Sequence, residues 1–172
     1  MTSSYVIALG SNRRGRHGAP ADEVRAALAA IGGVVMTSPL ITTAPLGPAQ
    51  RRFVNAAALI ETEDDPIDLL ARLKTIEAAF GRRRGQRWTD RVIDLDIILW
   101  SGGAWASDGL TVPHPEFRRR DFVLRPLAAI VPAWRDPLTG LTVRQLVARL
   151  RKNRLRPLMP SGAMVDPAPP AP

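Results

Sequence analysis

The sequence predicts an α+β protein, a ferredoxin-like βαββαβ sandwich with extra C-terminal elements. Three observations predict it. Short β-prone apolar runs alternate with helix-period stretches in the order strand, helix, strand, strand, helix, strand. Both helical stretches stop at glycine, and the second also opens on Asp-Pro. The chain has 172 residues, 45% hydrophobic and 23% charged, which suits one hydrophobic core.

The elements follow in order. Residues 5–9 are a short apolar strand ending in Gly10-Ser11-Asn12, and a polar loop covers 13–20. Val24, Ala27, Leu28 and Ile31 recur at i, i+3, i+4, i+7, an amphipathic helix stopped by Gly32-Gly33. Residues 34–43 read as one strand, with Pro39 marking an edge or a bulge. A loop over 44–52 leads to a strand over 53–62. Asp65 is an N-cap with Pro66 in the first helical position, and Leu69, Leu73, Ile76 and Phe80 mark the helix that ends at Gly81. After a basic loop over 81–91 comes a strand over 92–100 rich in β-branched residues. Residues 108–119 read as loop, and 122–130 as partly helical, interrupted by Pro126. Thr142 caps a last short helix through Leu150. A single domain is expected over 1–160, with a disordered Pro/Ala-rich tail over 161–172.

Composition narrows the function. Lys+Arg number 24 against 16 Asp+Glu, a formal +8, and all but Lys74 and Lys152 are arginine. A GC-rich genome or a polyanionic partner would each give that bias. With no cysteine there is no disulfide, thiolate metal site or cysteine nucleophile. No apolar run approaches the ~20 residues of a membrane span, and MTSSYVIALGSN does not read as a signal peptide, so a soluble cytoplasmic protein without a membrane partner is expected. The P-loop, GxGxxG and GxSxG patterns are missing, and so is an aromatic RNA-reading motif.

The chemistry concentrates around Asp94 and Asp96. On a strand they share a face, and two adjacent like charges repel unless a cation sits between them. Mg²⁺ takes one or two carboxylates plus substrate phosphates. An ordinary solvated strand face is the alternative, although such a face more often carries mixed polar residues. Ile93, Leu95, Ile97 and Leu99 are expected to form the opposite, buried face. Immediately upstream stand Arg82, Arg83, Arg84, Arg87 and Arg91, whose forks suit phosphate oxygens. Alone they would read as a solvated loop; beside the carboxylates they read as a phosphoryl-transfer site. Trp88 either closes over a ligand or anchors that loop. Phe53 and Asn55 share a strand face, where a ring and an amide suit a flat polar heterocycle; a core Phe beside a turn Asn carries comparable weight. His114, between Pro113 and Pro115, is stiffly held and suits binding, not zinc.

Several strings occur together in this order: ALGSN at 8–12, PLGP at 45–48, FVNAA at 53–57, GRRR at 81–84, RWTDRVIDLD at 87–96 and VPHP at 112–115. Over roughly residues 4–135 the chain resembles the 6-hydroxymethyl-7,8-dihydropterin pyrophosphokinases of folate biosynthesis. The resemblance implies transfer of pyrophosphate from ATP to the pterin hydroxymethyl group, giving AMP, with two Mg²⁺ ions on Asp94 and Asp96. It implies Arg82 and Arg91 as catalytic arginines. It implies a pterin pocket of Thr43, Pro45, Leu46, Phe53, Asn55, Trp88 and Phe122, the rings of Phe53 and Phe122 flanking the pterin. On the nucleotide side it implies Lys74, Glu77, Arg84, Ile97, His114 and Arg120. Family members often carry Gln where Lys74 stands, and Thr89-Asp90 replaces a frequent Gly-Pro. A monomer that binds ATP and the pterin, and no nucleic acid, is expected. Two rival readings remain: a basic nucleic-acid module with salt-steep binding, and a monophosphoryl kinase that would release ADP.

Overall fold

The computed structural model describes residues 1–45, 51–81 and 91–155; the tail expected over 161–172 lies outside them. The elements are β1 (Ser3–Ser11), α1 (Pro20–Ile31), β2 (Val34–Thr37), β3 (Ile41–Thr43), β4 (Phe53–Thr62), α2 (Pro66–Ala79), β5 (Asp94–Trp100), β6 (Trp105–Ser107), β7 (Leu110–Val112), a 3₁₀ turn (Phe117–Arg119), α3 (Asp121–Ile130) and α4 (Val143–Leu155). The main sheet has strand order β2-β4-β1-β5, with β3 also paired to β4, and every pairing is antiparallel.

Alternation along the central strands divides the interior into two layers. Tyr5, Ile7 and Leu9 of β1, with Ala56, Ala58 and Ile60 of β4, pack against Val24, Ala27 and Ile31 of α1 and Leu69 and Leu73 of α2. Val6 and Ala57 face the other way, toward Phe117, Val123, Leu124, Leu127, Val143 and Leu146. Helices therefore cover both faces of the sheet. Burying a Leu or Ile side chain stabilises by roughly 1.5–3 kcal/mol, so both faces contribute to stability.

The local signals act as their chemistry dictates. Asp65 accepts hydrogen bonds from the Ile67 and Asp68 amides at 2.9 Å each, capping α2. Gly33 has φ +61°, and a Cβ there would meet the Glu61 carbonyl oxygen at 2.3 Å, so only glycine permits the tight entry into β2. Thr142 and Gln145 form a reciprocal capping box: the Gln145 amide donates to Thr142 Oγ1 at 3.2 Å, and the Thr142 amide to Gln145 Oε1 at 2.9 Å.

The structure differs from the sequence expectation at five places. The strand expected over 34–43 is two strands, because Pro39 has no amide to donate; Ser38 closes the gap, its Oγ accepting the Ala57 amide at 2.9 Å. Leu99 does not share the face of Ile93, Leu95 and Ile97. Val6 pairs with Leu99 but Ile7 with Ile97, leaving Ile98 as a bulge residue, so Ile98 and Leu99 both enter the second core. The stretch read as loop over 108–119 contains β7 and the 3₁₀ turn; β6 and β7 form a hairpin closed by Asp108-Gly109. Helix α3 runs through Pro126, since Val123, Leu124 and Leu127 bury one apolar face and only one intrahelical bond is forfeited. Finally, α4 continues past Leu150 to Leu155.

Candidate active site

The site lies on the sheet face that α3 covers, where β4, β1 and β5 run side by side. Register defines two rows across these strands. Gly10 of β1 pairs with Asn55 on one side and Asp94 on the other. Ala8 likewise pairs with Ala57 and Asp96. Antiparallel partners project to the same face, so Asn55 and the two carboxylates border a half-buried floor of Gly10 and Ala8, with Ala57 buried beside it in the second core. Two strand spacings separate Asn55 from Asp94, about 10 Å. That span fits a flat bicyclic ring with a short substituent.

The amide end is firmly built. Asn55 is buried, and its Nδ2 donates to Thr43 Oγ1 at 2.9 Å. Its Oδ1 is left over Gly10, where an added Cβ would stand 3.3 Å from it. Phe53 is half-buried one row out, paired with Thr43, and Pro45 is exposed in the following loop. Phe122 opens α3, which packs over β3 and β4.

The carboxylate end is electrostatically tense. Burial, then the charge of Asp94, pushes Asp96 up to about 6, against the opposing charges of Lys74 and Arg120. Arg91 places Nη1 on Asp94 Oδ1. The Asn12 side chain fixes the backbone of that arginine: its Oδ1 accepts the Arg91 amide at 2.7 Å, while the Asn12 amide donates to the Arg91 carbonyl at 3.1 Å. Glu77 is fully buried on α2, accepting the Leu95 amide at 2.8 Å and the Lys74 ammonium at 2.9 Å.

His114 is held below its ordinary pKa by burial and then by Arg120, so its ring is neutral at pH 7. Its Nδ1 accepts the Glu116 amide at 3.2 Å, which leaves the proton on Nε2. The His114 amide donates to Ile98 at 3.1 Å, anchoring this loop to β5. Arg120 lies 5.9 Å from the Phe122 ring centroid and acts electrostatically on both Asp96 and His114.

The structure thus gathers Lys74, Glu77, Arg91, Asp94, Asp96, His114 and Arg120 at one end and Thr43, Phe53 and Asn55 at the other. Ile97 turns its side chain into the α1/α2 core, so it offers this site only backbone. Leu46, Arg82, Arg84 and Trp88 lie outside the described residues. Sequence reasoning missed Gly10, Ala8 and Asn12 as parts of the site. Gly-Ser-Asn ending a strand was the available signal for Gly10 and Asn12; Ala8 needed the strand register.

Two carboxylates on one strand face, Asp96 strained by burial and then by Asp94, are a donor set that a hard divalent cation accepts. Among the described residues no three His, Cys, Asp or Glu side chains converge to hold a metal ion.

Comparison with known proteins gives the family. Residues 6–132 match the family described as 7,8-dihydro-6-hydroxymethylpterin-pyrophosphokinase (HPPK). A Haemophilus influenzae relative, named 2-amino-4-hydroxy-6-hydroxymethyldihydropteridine pyrophosphokinase, is 37% identical over 93% of this chain and 100% of its own. The Pseudomonas aeruginosa protein of the same name is 41% identical over 80% of this chain and 86% of its own. The chain spans only 58% of a Synechocystis relative of that name, at 38% identity over 66% of this chain. Among solved structures, a Plasmodium falciparum HPPK-DHPS superposes with a TM-score of 0.71 at 15% identity, over 90% of this chain and 45% of that longer one. That likeness speaks for the fold. On the sequence matches, the chain belongs to the 7,8-dihydro-6-hydroxymethylpterin-pyrophosphokinase family, the pyrophosphokinases of folate biosynthesis.

Proposed function

We propose that this chain transfers the β,γ-diphosphate of ATP to the hydroxymethyl oxygen of 6-hydroxymethyl-7,8-dihydropterin, releasing AMP, with Asp94 and Asp96 holding two Mg²⁺ ions. The observation that carries the reading is the row Asn55–Gly10–Asp94. It sets an amide that recognises a heterocycle about 10 Å, two strand spacings, from carboxylates suited to a phosphate-bound cation. The ferredoxin-like reading of the fold is supported by the strand order, in which β4 lies between the β1 and β2 that α1 connects.

Asn55 Oδ1 accepts from the pterin's N–H edge, while Thr43 holds the amide in that orientation. Phe53 and Phe122 supply the flanking rings. Arg91 and Arg120, together with Arg82 and Arg84, neutralise phosphate oxygens, and His114 Nε2–H donates to the nucleotide. Pro45, Leu46 and Trp88 complete the pterin pocket, and Lys74, Glu77 and Ile97 stand on the nucleotide side. Asp94 and Asp96 would hold Mg²⁺, which would supply positive charge that lowers the repulsion facing the nucleophile. The hydroxymethyl oxygen forms a bond to Pβ, the bond from Pβ to the oxygen shared with Pα breaks, and AMP leaves with that oxygen. The hydroxyl proton passes to solvent. No covalent enzyme intermediate is needed, in keeping with the lack of cysteine.

The same proposal has the chain acting as a cytoplasmic monomer; no described helix is long and apolar enough to cross a membrane. Asp94→Ala and Asp96→Ala test it. Each is expected to reduce pterin-dependent AMP formation to background with an unchanged circular dichroism spectrum. Full turnover in both variants would remove the metal assignment.

A further inference from the structure

We infer that Glu77 is a positioning residue that holds the carboxylate strand in place, with Lys74 as its counter-charge, and that it does not act by touching the nucleotide. The inference rests on the reading of Asp94 and Asp96 as the metal ligands.

Strand β5 carries both carboxylates, Asp94 and Asp96. It is the edge strand of the sheet, paired only with β1 among the described strands. Alternate amides of an edge strand point away from their neighbour and need another acceptor. Leu95 is such a residue, and it stands between Asp94 and Asp96. Its amide is taken by Glu77 Oε1 at 2.8 Å. The hydrogen bond thus fixes the peptide between the two carboxylates and crosses from α2 to β5, 18 positions along the chain.

Glu77 is an expensive acceptor for a purely structural task. It is 0% exposed, on the same helix face as the core residues Leu69 and Leu73. A buried carboxylate is costly unless paired and hydrogen-bonded. Lys74, one turn earlier, supplies the pairing through Nζ on Oε2 at 2.9 Å, and its own side chain is exposed. An ionised acceptor holds an N–H more strongly than a neutral one. The arrangement therefore behaves like the outer partners of a metal site, which orient the ligands and whose loss typically costs about 10–100-fold in metal affinity or activity.

The test uses the full chain and reads Mn²⁺ binding by electron paramagnetic resonance in the presence of α,β-methylene-ATP, along with exchange of the Leu95 amide. Glu77→Ala is expected to weaken Mn²⁺ binding by about 10–100-fold. It should also free the Leu95 amide to exchange, while amides of β1 stay protected. Glu77→Gln, which keeps an oxygen acceptor at the same reach, should restore protection and most of the Mn²⁺ affinity. In steady state, Glu77→Ala should lower kcat more than it raises the KM for ATP. Should Glu77→Ala fail to fold, Glu77→Asp takes its place: it keeps the charge but falls one methylene short of Leu95. Unchanged Mn²⁺ affinity in the truncated variant, or a rise in ATP KM alone in both truncated and Gln variants, would overturn the inference in favour of direct nucleotide contact. Failure of the wild-type chain to bind Mn²⁺ would instead overturn the metal reading of Asp94 and Asp96.

Discussion

Asp96 carries its charge at a cost to the fold, and the sign of that cost can be worked out. Its folded pKa, about 6, lies above the unfolded value of 3.8. The stability linked to this group is therefore fully present below the unfolded value and is lost as pH rises through 6. Asp96→Asn, without metal, should stabilise the fold by about 3 kcal/mol at pH 8, with no gain at pH 3.5; thermal unfolding at the two pH values in chelator measures it. An equal gain at both would mean that packing, not charge, sets the effect. Gly10 makes a second residue-scale prediction. A Cβ there would press on Asn55 Oδ1 at 3.3 Å, and Asn55 is held by Thr43, so it yields little. Gly10→Val should raise the pterin KM by about tenfold, roughly 1.4 kcal/mol of lost binding, with a smaller change for ATP. A reversed ranking would place the pterin elsewhere.

At the scale of elements, Asp136 ties the 3₁₀ turn to the loop between α3 and α4. It is fully buried, accepts two hydrogen bonds from Arg118 at 2.6 Å each, and a third from Thr139 at 2.5 Å. Burial alone would raise its pKa; the hydrogen bonds from Arg118, Thr139 and Leu138, with the Arg118 charge, outweigh it and the pKa falls. Its stability is thus present above the unfolded carboxylate pKa and lost as pH drops through the lower folded value. Asp136→Ala should destabilise by about 3 kcal/mol in urea titration at pH 7, less in acid. A loss below 1 kcal/mol would show that the 3₁₀ turn and α4 hold without it. The elements that sequence pattern revealed were those with local causes: Asp65-Pro66 capping α2, the 3.6-residue period of α1, the β-branched run of β5. What stayed hidden depended on partners far along the chain. The bulge at Ile98 needs the register with β1, and the passage of α3 through Pro126 needs the core beneath it. The β6–β7 hairpin was legible in Asp108-Gly109 and was overlooked.

Across the whole molecule, the division of labour between the two sheet faces explains where the site can be. One face is sealed by α1 and α2. The other is covered by α3 and α4 over Val6 and Ala57, leaving the half-buried Gly10 and Ala8 as a floor between Asn55 and the carboxylates. Asp94, Asp96, Phe53 and Asn55 were legible because residues two apart on a strand share a face. Their joining into one site was not legible from the strand pattern, since it requires β1 to lie between β4 and β5; only the family resemblance implied it. Asn12 stood in the legible Gly-Ser-Asn that ends β1, but its hold on the Arg91 backbone, 79 positions away, was not legible. The most direct test of the account is nucleotide product analysis with ATP, Mg²⁺ and 6-hydroxymethyl-7,8-dihydropterin. The account predicts pterin-dependent AMP in equal amount to a diphosphorylated pterin; ADP with a monophosphorylated pterin would contradict it.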